Sequence, residues 1–362
     1  MEKCQLQLLE LLKAGLTKEK PDGELFVGAD WKKLYNMAFE QSVVAVVFDG
    51  ICLLQKDYMP PLKMKMQMIS IVQSIESTNN MMNSLSAELT GILENLGTKP
   101  VMMKGQAFAT EYPNPLHRQS GDIDLFFRSE PENIAVKEWA QKNAEPDNKI
   151  NDKDYPFHWK GVEVESHFLL CMMYNKKNND LLQSIIRKEF EENAPVFVDV
   201  CGKKIETVPP TLNVLHQIIH ISYHFLNEGI GLRQFCDLAL YLRNHADEID
   251  YDRLKRYLSE LGFGKLTSMY GHLLNRYLGV DANIIPFELS DKYFALLADS
   301  IFTGGNFGKK VFGFKGKDAF FKSKIKAMPL HLIHYIKYRH FNPKELDANF
   351  LVKWKRAAKG IK

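Results

Sequence analysis

Residues 101–128 read VMMKGQAFATEYPNPLHRQSGDIDLFFR, and the acidic pair at 122 and 124 sits inside an apolar run that otherwise spells a buried β-strand. Burying a carboxylate is costly unless it is paired or coordinated. A chain that does so twice in three residues must bring positive charge to that strand. Residues two apart on a strand share a face, so Asp122 and Asp124 project together. Like charges a few ångströms apart repel unless a cation lies between them, and hard divalent ions with oxygen ligands, Mg²⁺ above all, are the usual answer.

The segments around this strand alternate in character. PVMM predicts a short strand, GQAFATEY a helical stretch after the Lys104-Gly105 turn, DIDLFF a strand and PENIAVKEWAQKN a helix. YPFHWKG and VEVESHFLL then predict a strand pair. In the second strand Val162 and Val164 face one way, and Glu163, Glu165 and His167 the other. PVFVDVCGKKIETV predicts a hairpin turning near Cys201-Gly202. Before Lys99 the pattern is helical. DWKKLYNMAFEQSVVAVVFDGI predicts one helix with Asp30 as its N-cap. The stretch from Pro60 to Gly97 predicts a long helix bounded by prolines and glycine, with its methionines as core filler. From Pro209 onward the pattern is helical again. Strands with a few helices, flanked by helices, predict an α+β chain. The expected divisions are a helical region at 1–98, a catalytic core at 99–208, a helical domain at 209–308 and a basic helical tail at 309–362.

Composition narrows the setting. The 362 residues are 45% hydrophobic and 25% charged, as in an ordinary folded chain. The N-terminus spaces its leucines helically and is no signal peptide. The longest apolar run, SVVAVVFDGICLL, is too short for a bilayer and carries Asp49. Five scattered cysteines, odd in number and without a C-x-x-C spacing, point to a reducing, cytoplasmic interior. Net charge is +3, but about fifteen Lys and Arg against three Asp and Glu lie from Lys309 onward. That tail is either a solvated helical face or a surface for RNA or an anionic membrane.

Glu165 is placed to supply a third carboxylate from a neighbouring strand, with Glu163 on the same face as the alternative. Three carboxylates can cradle two metal ions and clamp an in-line phosphoryl displacement. Gly105, at a strand-to-helix junction, lets the backbone approach a phosphate closely, and Lys104 and Arg118 add fixed positive charge nearby. His216, His220 and His224 fall one turn apart on a predicted helix; without an identifiable third ligand they predict core or site-lining residues rather than zinc. Arg233 and Asp237, at i and i+4, read either as a helical ion pair or as site residues. A metal-dependent glycosyltransferase also uses D-x-D, but normally after a nucleotide-binding run of alternating strands and helices, which the helical first hundred residues do not offer.

The order of Lys104-Gly105, Arg118, GDIDLFF, Glu165-x-His167, LHQIIHISYH and Arg233-Gln234 with Asp237 resembles the polymerase-β-like nucleotidyltransferase superfamily. Within it the likeness is to a bacterial group of nucleotidyltransferase family proteins, over roughly residues 75 to 245. The turn departs from the wider superfamily, which carries Gly-Ser or Gly-Gly where this chain has Gly105-Gln106. The resemblance implies a mixed-sheet nucleotidyltransferase core between helical parts. It implies Asp122, Asp124 and Glu165 as catalytic metal ligands for two Mg²⁺ ions, with Mn²⁺ as a substitute. Lys104, Gly105, Gln106, Arg118, Ser120 and Gly121 are then expected around the nucleotide, with His167, His220, His224, Arg233 and Asp237 on the acceptor side. The expected activity moves a nucleoside monophosphate from an NTP, ATP by preference, to a hydroxyl, releasing pyrophosphate. A nucleotide-binding regulatory module without turnover is the competing expectation.

Overall fold

A computed structural model describes residues 1–147, 152–227, 229–304 and 332–358, with side chains as far as Lys355. Seven strands form one mixed sheet: β1 (Val101–Met102), β2 (Asp122–Phe126), β3 (Glu145–Pro146), β4 (Asp154–Trp159), β5 (Val162–His167), β6 (Val196–Val200) and β7 (Lys203–Thr207). Their order is β3-β4-β5-β2-β1-β7-β6. The β4/β5 and β6/β7 hairpins are antiparallel, whereas β2 lies parallel to β5 and β1 parallel to β7. Both hairpins turn on two residues with positive φ, Lys160-Gly161 and Cys201-Gly202, the backbone signature of tight two-residue loops.

Five helices precede β2: α1 (Lys3–Thr17), α2 (Trp31–Glu40), α3 (Val44–Cys52), α4 (Leu62–Glu94) and the single turn α5 (Gln106–Ala109). Then come α6 (Glu130–Asn143), α7 (Lys176–Glu192), α8 (Pro210–Asn227), α9 (Leu232–Asn244), α10 (Tyr251–Leu261), α11 (Gly264–Leu278), α12 (Phe294–Gly304) and α13 (Pro343–Ala358). Asp30 does cap α2, accepting from the Lys33 amide. The single helix expected over 30–51 is nevertheless two. The chain breaks at Gln41–Val43, where Ser42 has φ 55°. Gln41 is 2% exposed; its side chain donates to the Ile301 carbonyl and accepts from the Leu232 amide. Those tertiary bonds to α12 and α9 outweigh local helix propensity.

Strand alternation decides which face of the sheet is dry. Ile123, Leu125, Phe157, Val162 and Val164 pack with Leu89 and Leu93 of α4 and Val136 of α6 in one apolar core. The opposite residues of β2 and β5 face the C-terminal helices, where a second, larger core joins α1 and α3 to α8–α12. Asp122, Asp124, Glu165 and His167 are therefore presented between sheet and helices. Tyr338, Phe341 and Leu346 also join the larger core. Part of the expected basic tail is thus packed, while Ile333, Ile336 and Leu351 are exposed and residues 309–331 and 359–362 lie outside the described residues. Among the described residues no helix is long and apolar enough to cross a membrane.

Candidate active site

The parallel register of β2 and β5 sets Asp124 beside Glu165 and Asp122 beside Glu163. Asp124 is 3% exposed, and its Oδ1 meets two nitrogens, Lys104 Nζ at 3.0 Å and His167 Nε2 at 3.0 Å. The same His167 nitrogen lies 3.1 Å from Glu165 Oε2. One imidazole thus ties together two carboxylates from adjoining strands. Ligand atoms of Asp124, Glu165 and His167 all fall within 4.8 Å of one another. Glu165, rather than Glu163, is the glutamate in this group; Asp122 stands beside it.

Lys104 reaches the group because Gly105 turns the chain at φ 56°, ψ −114°, backbone open essentially to glycine. A Cβ at that position would lie 3.3 Å from the Asp122 carbonyl oxygen. The glycine therefore allows β2 and the turn to approach closely, and the lysine that precedes it points inward to Asp124.

Charge in the group is unevenly shared. The Asp124 carboxylate, aided by burial, pushes Asp122 up to about 6. Burial would raise Asp124 as well, but Lys104 and the His167 hydrogen bond hold it well below the usual carboxylate range. Glu165 is likewise held low, its burial offset by His167. Burial opposes the charge on Lys104, yet Asp124 and Glu165 raise it above its ordinary value. Three carboxylates with one lysine leave negative charge uncompensated, and the repulsion falls on Asp122. An oxygen-rich set with surplus charge fits a hard divalent cation.

A second layer carries the positive charge. Arg118, 5% exposed, donates Nε to Asp237 Oδ1 and NH2 to Asp237 Oδ2, both at 2.8 Å, and NH1 to Ser120 Oγ at 2.9 Å. Tyr112 donates its hydroxyl to the same Asp237 at 2.7 Å. The i, i+4 ion pair of Arg233 with Asp237 considered above is therefore not the arrangement found, because Asp237 is taken by Arg118. Arg233 instead donates to the Gln119 carbonyl, and its buried Nε has no hydrogen-bond partner. Burial and the neighbouring Arg118 charge both lower its pKa. Lys104, Gly105, Asp122, Arg233 and His220 line one cleft together with the Arg118–Asp237 pair.

Other expected site residues are spread more widely. Gln106 is buried with an unpartnered Nε2, and Gly121 is exposed beside β2. His167 is 0% exposed, with its Nε2 against Asp124 and Glu165. His220 lines the cleft, whereas His224 lines an adjoining cavity that also contains Glu165. Burial lowers the pKa of both His216 and His220 well below the ordinary histidine value. Tyr112 carries no local signal, since nothing in TEYPNP marks a tyrosine bonded to a residue 125 positions later.

The family model described as uncharacterised nucleotidyltransferase matches residues 28–279. A solved structure, an antigenic nucleotidyltransferase-like protein from Paracoccidioides brasiliensis, aligns with a TM-score of 0.36 and 12% identity, covering 59% of this chain and 96% of that one. No curated protein matches the chain. The family match spans well over half the sequence and takes in every residue of the cleft, and the chain belongs to this nucleotidyltransferase family.

Proposed function

We propose that the chain transfers a nucleoside monophosphate from an NTP, with ATP as the preferred donor, to a hydroxyl-bearing acceptor in a Mg²⁺-dependent reaction that releases pyrophosphate. The observation that carries this is the cluster of Asp124, Glu165 and His167 at the edge of a cleft lined by Asp122, Asp124, Lys104 and Arg233. Asp122, Asp124 and Glu165 are the residues that would hold the two ions, with His167 orienting Asp124 and Glu165 from below. Bound there, a divalent ion supplies Lewis-acid polarisation of phosphate oxygens and neutralises their charge.

The chain's own groups supply the rest. Arg233 and Lys104 bind the triphosphate, and Gly105 lets the backbone approach it. Arg118, fixed by Asp237 and Ser120, adds positive charge behind them. Glu165 accepts the proton of the attacking hydroxyl as its oxygen bonds to the α-phosphorus. The bond from that phosphorus to the bridging oxygen breaks, and pyrophosphate leaves with the electron pair. The helices after Pro209 form the acceptor side. Five free thiols suit a reducing, cytoplasmic setting.

Incubation with α-labelled ATP, Mg²⁺ and a panel of hydroxyl acceptors tests this. Label should move to an acceptor with equimolar pyrophosphate, and Asp124→Asn should abolish transfer. Mg-dependent ATP binding without transfer to any acceptor would favour the regulatory module instead.

A further inference from the structure

Beside the nucleotide cleft lies a cavity of about 300 Å³ that shares Lys104, His216 and His220 with it and has Glu165 in its wall. The far wall is aromatic. Tyr174 and Tyr223 stand near-parallel, ring centroids 6.4 Å apart and planes 23° from parallel. His224 meets Tyr223 edge-on at 5.2 Å and His220 at 4.5 Å, which continues the rings towards the cleft. Met172, Leu170 and Ile219 fill the apolar remainder.

Charge separates the two chambers. In the cleft, Lys104, Arg118 and Arg233 stand against Asp122, Asp124 and Asp237, three cations to three carboxylates. In the cavity each cation already has its own: Lys104 lies against Asp124, and Lys153 Nζ lies 3.7 Å from Asp154 Oδ2. Asp152 and Glu165 add further negative charge. Such a wall repels anions and attracts neutral or cationic groups.

The aromatic wall is also held in place. Glu345, at the start of α13, accepts the backbone amides of Tyr174 at 2.6 Å and Asn175 at 2.9 Å through its two carboxylate oxygens. A helix from the far end of the chain thereby fixes the loop that carries Tyr174, and an ordered ring surface binds without first losing loop entropy.

From this juxtaposition we infer that the cavity is the acceptor site, and that its acceptor is a small, non-anionic molecule that stacks a flat ring on Tyr174 and Tyr223 while presenting a hydroxyl to Glu165. The inference rests on the nucleotidyl-transfer reading above. The volume suits a body of roughly nucleoside size, and ring stacking on aromatic side chains is tolerant of the ring's identity.

The test uses three probes on the full chain: phenyl β-D-glucopyranoside, methyl β-D-glucopyranoside and phenyl phosphate. Saturation-transfer NMR and calorimetry should show binding of the phenyl glucoside, with its ring protons most strongly saturated. Tyr174→Leu and Tyr223→Leu should each weaken it about tenfold or more, while the two Tyr→Phe variants retain it. The methyl glucoside and phenyl phosphate should bind at least tenfold more weakly. Equal binding of ring-bearing and ring-free glucosides, preference for phenyl phosphate, or unchanged affinity in folded Leu variants overturns the inference. Titrating wild type with Mg-ATP separates the two readings. ATP bound while all three probes fail removes the acceptor site alone. Ring-selective binding without ATP binding removes nucleotidyl transfer and leaves the ring site standing.

Discussion

Replacing Asp237 with Asn removes one charge and little volume, and it isolates the electrostatic role of the second layer. Asp237 is 4% exposed and receives two hydrogen bonds from Arg118 and one from Tyr112. Hydrogen bonds to charged groups contribute about 1.5–3 kcal/mol each. The sum is not the expected loss, because Asn keeps one acceptor oxygen and the cleft lets water reach part of the guanidinium. The larger consequence is a buried Arg118 without its counter-ion, and one-sided removal of a buried partner costs about 3–5 kcal/mol. Denaturant unfolding followed by two probes with coincident transitions measures it. Removing both partners, as Arg118→Met with Asp237→Leu, should be milder than Asp237→Asn, since no orphaned charge remains. A loss below about 1 kcal/mol in Asp237→Asn, with the two sites additive, would refute the idea that this pair sets the position of the cleft arginines.

Gly105→Ala meets a positive-φ backbone and a 3.3 Å contact to the Asp122 carbonyl. It should lower stability by about 1–3 kcal/mol and reduce turnover more than tenfold by displacing Lys104, read by Tm and kcat together. Gln41→Leu strands the Ile301 carbonyl and the Leu232 amide and should cost about 2–4 kcal/mol, visible in the denaturant midpoint with nucleotide affinity unchanged. The pH profile has a defined sign. Asp122 is raised in the folded state from 3.8 to about 6, so the folded protein binds that proton more tightly than the unfolded chain. Its contribution therefore falls as pH rises from about 4 to 6. Asp124 and Glu165, held low, act oppositely and lose their contribution only in more acid solution. The Tm of wild type relative to Asp122→Asn should thus decline between pH 4 and 6.5 without metal, and saturating Mg²⁺ should remove the decline. A flat difference, or one that rises with pH, contradicts the assignment.

What was legible in the sequence was local. Period-two alternation in VEVESH separates the apolar valines from Glu165 and His167, and the Cys201-Gly202 turn follows from its residues. The D-x-D strand and the glycine before it were both readable as a site. Adjacency was less accessible. No local pattern says that β5 runs parallel to β2 in the register that sets Glu165 against Asp124. Nor does any pattern announce that Asp237 reaches Arg118, 119 residues earlier, instead of its helical neighbour Arg233. The α7 helix is hard to read from KKNNDLLQSIIRKEFEE, which is rich in charge. Its signal was present in the Asn175 cap and in Leu182, Ile185 and Ile186, all buried. Residues 31–52 misled in the other direction, since helical propensity runs through Gln41 and only distant backbone groups end it.

Manganese titration followed by electron paramagnetic resonance examines the carboxylate group most directly. Wild type should take up Mn²⁺ saturably, with Mg²⁺ competing, and added ATP should tighten the binding; Asp124→Asn and Glu165→Gln should each weaken it at least tenfold. Undiminished Mn²⁺ uptake by both folded variants would mean that the paired acids of β2 and β5 hold no metal, and the proposed chemistry would fall with them.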